Sequence, residues 1–134
     1  MNRIIPERFA LKGLLAILSL FILFHLLIIS GAIPFGVVWG GTLKDKSQML
    51  FFETISVIVN ILLLSVAAIK AGILKIGVNS MVIQVILWIM FGLFLMNTIG
   101  NLFSNNHFEK LVFTPITLIL SIFSLRVAMI KYKT

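Results

Sequence analysis

Four apolar runs, each about twenty residues long and bounded by charge, leave this chain little choice of fold. They cover residues 13–33, 49–69, 81–103 and 111–130. A helix rises about 1.5 Å per residue, so each run is long enough to cross a hydrocarbon core of about 30 Å. Inside that core only a helix or a closed barrel satisfies every backbone N–H and C=O without water. The runs are continuous rather than alternating, which selects helices. The expected fold class is therefore all-α: a polytopic integral membrane protein whose four transmembrane helices form an antiparallel up-down-up-down bundle. It occupies residues 1–134 as a single domain, because nothing of useful length remains for a soluble one.

Composition agrees with this reading. With 60% apolar and 11% charged residues, the chain could not coat a water-facing surface, for which about a quarter of the residues are ordinarily charged. The absence of cysteine removes disulfides and thiol chemistry. The first run follows Arg3, Arg8 and Lys12 and ends in Ser30-Gly31-Ala32, which has the look of a signal-peptide cleavage site. Its apolar length exceeds the roughly 7–15 residues of a signal-peptide core, so it reads as an uncleaved anchor.

Orientation follows from the basic residues. Arg3, Arg8, Lys12, Lys70, Lys75, Arg126, Lys131 and Lys133 fall on one side; Lys44, Lys46 and Lys110 fall on the other. The positive-inside rule puts the first side, and with it both termini, in the cytosol. Glu7 is the one acid inside, while Asp45, Glu53 and Glu109 balance the outer lysines, so the whole net charge of +7 sits inside. Such a distribution is a topology signal addressed to anionic lipid headgroups; nucleic acid is not an expected partner. The expected location is a bacterial plasma membrane, crossed several times, given a compact chain without cysteine or an organelle signal.

Polar side chains are costly in lipid, so those inside the runs are the candidate functional residues. By helix rise, His25 lies about 3 Å to the outer side of the midplane of the first run. Asn60 sits near the middle of the second run and Glu53 about 10 Å further out. Asn97 lies about 8 Å outward in the third run, with Asn101 one turn beyond it. Glu53, Ser56 and Asn60 share one helical face, as do Asn97 and Asn101. This clustering in one leaflet predicts a polar pocket entered from outside and lined by His25, Glu53, Asn60, Asn97 and Asn101.

Each residue also has a plainer reading. The asparagines, and the stripe Thr114, Thr117, Ser121, Ser124 and Ala128 on the fourth helix, suit interhelical hydrogen bonds and close approach. His25 could bond a neighbouring hydroxyl or carbonyl. Glu53 either reaches to water and pairs with Lys44, Lys46 or Lys110, or acts as an ionisable switch with His25 as its partner across the bundle. Trp39, in the apolar, glycine-rich connection 34–41, belongs either to the interfacial aromatic belt or to a lid that folds over the pocket and touches its ligand. The polar connection 104–110 reads as a solvated turn, with His107 and Glu109 as a contribution to an external site in the alternative, although two side chains do not make a metal centre.

No phosphate loop, zinc motif, nucleophile elbow or cysteine cluster is present, so no cofactor is expected and no metal centre follows. Three functional classes are left. The leading one is a module that binds or transports a small polar or amphiphilic ligand, as a monomer or homodimer. The second is a membrane-embedded enzyme using Glu53 and His25 as acid and base on a lipid-like substrate, although the sequence offers no nucleophile. The third is an accessory or immunity-type protein that packs against another membrane protein through its small-residue stripe.

Overall fold

The computed structural model describes residues 4–34, 44–104 and 107–129. Its elements are α1 (Glu7–Ser30), α2 (Lys46–Lys70), α3 (Ser80–Leu102) and α4 (Thr114–Ala128), with a π-helical turn over Glu109–Phe113 leading into α4. No strand occurs among the described residues. The first three helices, and the π-turn and α4 taken as one run from Glu109 to Ala128, are each long and apolar enough to cross a membrane. The chain is thus all-helical with four span-capable helices, as its apolar runs require.

Local chemistry sets the helix ends. Gly31 closes α1 with φ +90°, a conformation that costs glycine little, and the N–H groups of Gly31 and Ala32 return to Ile28 and Leu27. The small residues that resembled a cleavage site are therefore a helix C-cap. Asp45 caps α2 by accepting from the Gln48 N–H at 2.8 Å, and Asn79 caps α3 by accepting from the Met81 N–H at 2.8 Å. At the start of α4, Pro115 offers no N–H to Leu111, its α-helical acceptor four residues back. The chain widens into its π-turn at that point.

Packing joins the helices unequally. α1 packs on α2, α3 packs on α4, and α1 also meets α4, whereas α2 and α3 touch least of these pairs. α4 is the most enclosed of the four and α1 the least. Along the α3–α4 seam, Gln84 near the start of α3 donates to the Ala128 carbonyl at the end of α4, while Thr98 near the end of α3 bonds Thr117 at 3.0 Å. Those two contacts set α3 and α4 antiparallel. Phe9 on Phe123 at 5.5 Å and Phe24 on Phe113 at 5.1 Å do the same for α1 and α4. The start of α2 meets the end of α1 through Glu53 and His25.

The small-residue stripe proves to be the buried seam of α4: Thr117, Ser121, Ser124 and Ala128 are all enclosed, and Ser121 donates to the Phe91 carbonyl at 3.3 Å. Gly13 admits the Phe123 ring against the α1 backbone, where even a methyl group would collide with it. Leu14, Leu18, Leu87, Met90 and Leu120 form the core between these seams. Outward-facing Leu20, Phe51, Ile58, Leu62, Trp88 and Ile89 give the bundle an apolar exterior that suits acyl chains. At the end away from the Glu53–His25 contact, Arg126 is buried and donates Nε–H to the Ile5 carbonyl at 2.6 Å. That bond fastens the end of α4 to the chain just before α1.

Candidate functional site

A cavity of about 310 Å³ lies in the half of the bundle that contains the end of α1, the beginning of α2, the end of α3 and the beginning of α4. All four helices line it. His25 comes from α1, Asn60 from α2, Asn97 and Asn101 from α3, and Thr117 from α4. Four of the residues singled out from sequence, His25, Asn60, Asn97 and Asn101, therefore border one space. Glu53 stands beside them rather than in the lining, and Trp39 lies outside the described residues.

Glu53 is completely buried, and its Oε2 is hydrogen-bonded to His25 Nδ1. Helix geometry explains why they meet. Glu53 is seven residues into α2 and His25 five residues from the end of α1, or about 10 Å and 8 Å from those ends, so antiparallel neighbours bring them level. The sequence left a choice between surface lysines and His25 as partner for this acid, and His25 is the partner found. A carboxylate withdrawn from water needs hydrogen bonds to offset its desolvation, which the imidazole supplies. The His25 side chain keeps 15% of its surface open, so the pair communicates with the cavity through its histidine edge.

The asparagines divide by role. Asn60 donates to the Ser56 carbonyl of its own helix at 2.7 Å. Asn101 donates to Thr117 Oγ1 at 3.4 Å, and the same hydroxyl receives Thr98 and donates to the Phe113 carbonyl at 2.8 Å. That network is the interhelical binding anticipated for such residues, and it closes the α3 side of the cavity. Asn97 differs: it is exposed at the cavity edge, and its amide has no hydrogen-bond partner among the described residues.

Glu109 is not among the residues expected to line the pocket, because 104–110 reads first as a solvated turn, with Glu109 and His107 on an external site only in the alternative. It is instead buried, lines the cavity and accepts from Ser104 Oγ at 2.8 Å. The π-turn begins at this residue, so the fourth span starts two residues earlier than the apolar run does. The aromatic walls were also missed. Phe21, Phe24, Phe94 and Phe113 line the cavity, with Phe21 and Phe24 edge-to-face on Phe113 at 6.0 and 5.1 Å.

Towards the bundle end the lining holds His25, Asn101 and Glu109, and towards mid-span it holds Val59, Leu63 and Leu93 with Asn60 among them. It lies where α2 and α3 scarcely touch, and exposed Ile55 of α2 and exposed Asn97 of α3 form its rims. Its exposed lining residues therefore include one on each side of the α2–α3 seam. No group of three or more metal-ligating side chains occurs among the described residues. Compared with models of known protein families, with curated proteins and with solved structures, the chain matches none.

Proposed function

We propose that this membrane protein is a binding module for a small amphiphilic ligand, which it takes from the bilayer through the cleft between α2 and α3. One observation carries the reading: a cavity bordered by all four helices, with His25, Asn101 and Glu109 towards the bundle end, Val59, Leu63 and Leu93 towards mid-span, and exposed Ile55 and Asn97 where α2 and α3 touch least. A molecule already oriented in a lipid leaflet, head at the edge and tail towards the centre, meets matching chemistry along that axis. At about 310 Å³ the space is at the small end of ligand pockets, which run from roughly 300 to 1,000 Å³. With both termini in the cytosol, as the basic residues argue, the cleft belongs to the outer leaflet.

In this proposal Glu53 and His25 are the proton-holding element behind the ligand, and Asn97 and Asn101 orient its polar group. Movement of ligand across the membrane would use the proton on that pair; binding alone would not. The test is a nitroxide-labelled fatty alcohol added to the full chain in lipid nanodiscs. A saturable immobilised signal is expected, and Val59→Trp, which fills the mid-span part of the cavity, removes it. An equal signal in the folded variant defeats the proposal. Ligand-linked proton movement in liposomes, lost in Glu53→Gln, separates transport from binding.

A further inference from the structure

The lining of the cleft restricts what the head of its ligand can be. Glu109 is a buried carboxylate bordering the cavity, and among the described residues no lysine or arginine borders it. His25 is the one basic group among the described lining residues, and it is engaged with Glu53. A carboxylate with an imidazolium, or a carboxylic acid with a neutral imidazole, is neutral overall, and a carboxylate with a neutral imidazole is negative, so none of these pairings brings net positive charge. Among the described lining residues, Glu109 therefore adds a carboxylate that no lysine or arginine of the lining offsets, in a medium that screens charge poorly.

The walls point the same way. Phe21, Phe24, Phe94 and Phe113 border the space that Glu109 borders, and aromatic rings attract cations through the negative charge on their faces. An anionic head would meet the Glu109 carboxylate at short range and be repelled by it. An uncharged hydroxyl head could donate a hydrogen bond to the acid, but it would gain no charge attraction from the acid or the rings. A carboxylate at the edge of a membrane span is also costly to maintain, which marks it for a function rather than for packing.

Resting on the cleft reading, we infer that the cleft takes a small alkylammonium amphiphile, whose cationic head is held by Glu109 among the phenylalanine rings and whose tail lies along Val59, Leu63 and Leu93. The head-to-tail axis follows from depth. Glu109 opens the fourth span, whereas Leu63 lies beyond the midpoint of α2 and Leu93 lies close to the midpoint of α3. Asn97 at the rim supplies a hydrogen-bonding group beside the path of the head into the cleft.

The test uses the full chain in zwitterionic nanodiscs, with tritiated octyltrimethylammonium, octanol and octanoate as separate probes and empty nanodiscs as background. The expected order is ammonium tightest by about tenfold or more, then octanol, then octanoate. Glu109→Gln, which keeps an acceptor for Ser104, brings the ammonium to within about twofold of octanol and leaves octanol unchanged, so retained octanol binding certifies the fold. Phe24→Leu is the second variant, and it weakens the ammonium several-fold without weakening octanol. Octanol or octanoate binding as tightly as the ammonium, or a preference that survives Glu109→Gln, overturns the inference while leaving the cleft reading intact. If no probe binds saturably, both fall.

Discussion

Glu53 is the side chain whose environment departs furthest from what its chemistry prefers: a carboxylate with no exposed surface in a chain of apolar helices. Removing one member of a buried, hydrogen-bonded pair strands the other, which costs roughly 3–5 kcal/mol when the site cannot admit water. Glu53→Ala should therefore lower the thermal midpoint in detergent markedly, by roughly 3 kcal/mol of stability. The double variant Glu53→Met with His25→Leu should recover part of that loss, because an apolar pair strands neither member of the Glu53–His25 bond. Additive losses in the double variant would mean that the two residues act separately. This pairing is legible in the amino-acid sequence, because polar groups at similar depth in lipid have few partners to choose from. The burial of Glu109 is not, since its neighbours Asn105, Asn106 and His107 are the residues that ordinary turns contain.

The four helices are readable from run length alone, because the thickness of a bilayer dictates it, but their ends are decided by caps that run length does not reveal. α1 starts at Glu7 and stops at Gly31 because a glycine can take up a positive φ there. The π-turn is the element that no periodicity signals: one residue of slip leaves composition unchanged and redirects every side chain before it. Pro115 is its physical cause, since a regular α-helix would drive the ring into the Leu111 carbonyl. Pro115→Ala should let the turn relax to α-helix and rotate Glu109 away from the cavity. Because the chain has no native cysteine, E109C can be labelled alone, and a water-soluble maleimide should react at different rates with and without P115A. Identical rates would detach the π-turn from the proline. The α1–α4 seam makes a further prediction. Gly13→Ala forces a methyl group against the Phe123 ring and should cost about 1–3 kcal/mol, read as a lower melting temperature, whereas Gly100→Ala, with open space around it, should cost little.

At the scale of the molecule, the order in which helices pack is not legible in the sequence, and the reason lies in the solvent. Lipid is as apolar as a leucine core, so helices in it carry little contrast between inner and outer faces, and sequence gives few hints about which neighbours touch. The stripe on α4 is the exception, because small side chains mark close approach whichever partner they meet, and α4 is the most enclosed helix. What the packing adds is the sparse contact between α2 and α3, and the proposed binding from the bilayer requires that seam to open sideways. If ligands pass through it, tying its rims together must stop them. Ile55→Cys and Asn97→Cys place one thiol on each rim, and a reducible bis-methanethiosulfonate should link them in nanodiscs. Octyltrimethylammonium added after linking should fail to bind, and reduction of the linker should restore binding. Each single variant treated with the same reagent serves as the control for bulk at the rim. A linked protein that still fills at the unlinked rate would mean that the cavity is reached from the aqueous end of the bundle, and the search for its ligand would move from lipids to solutes.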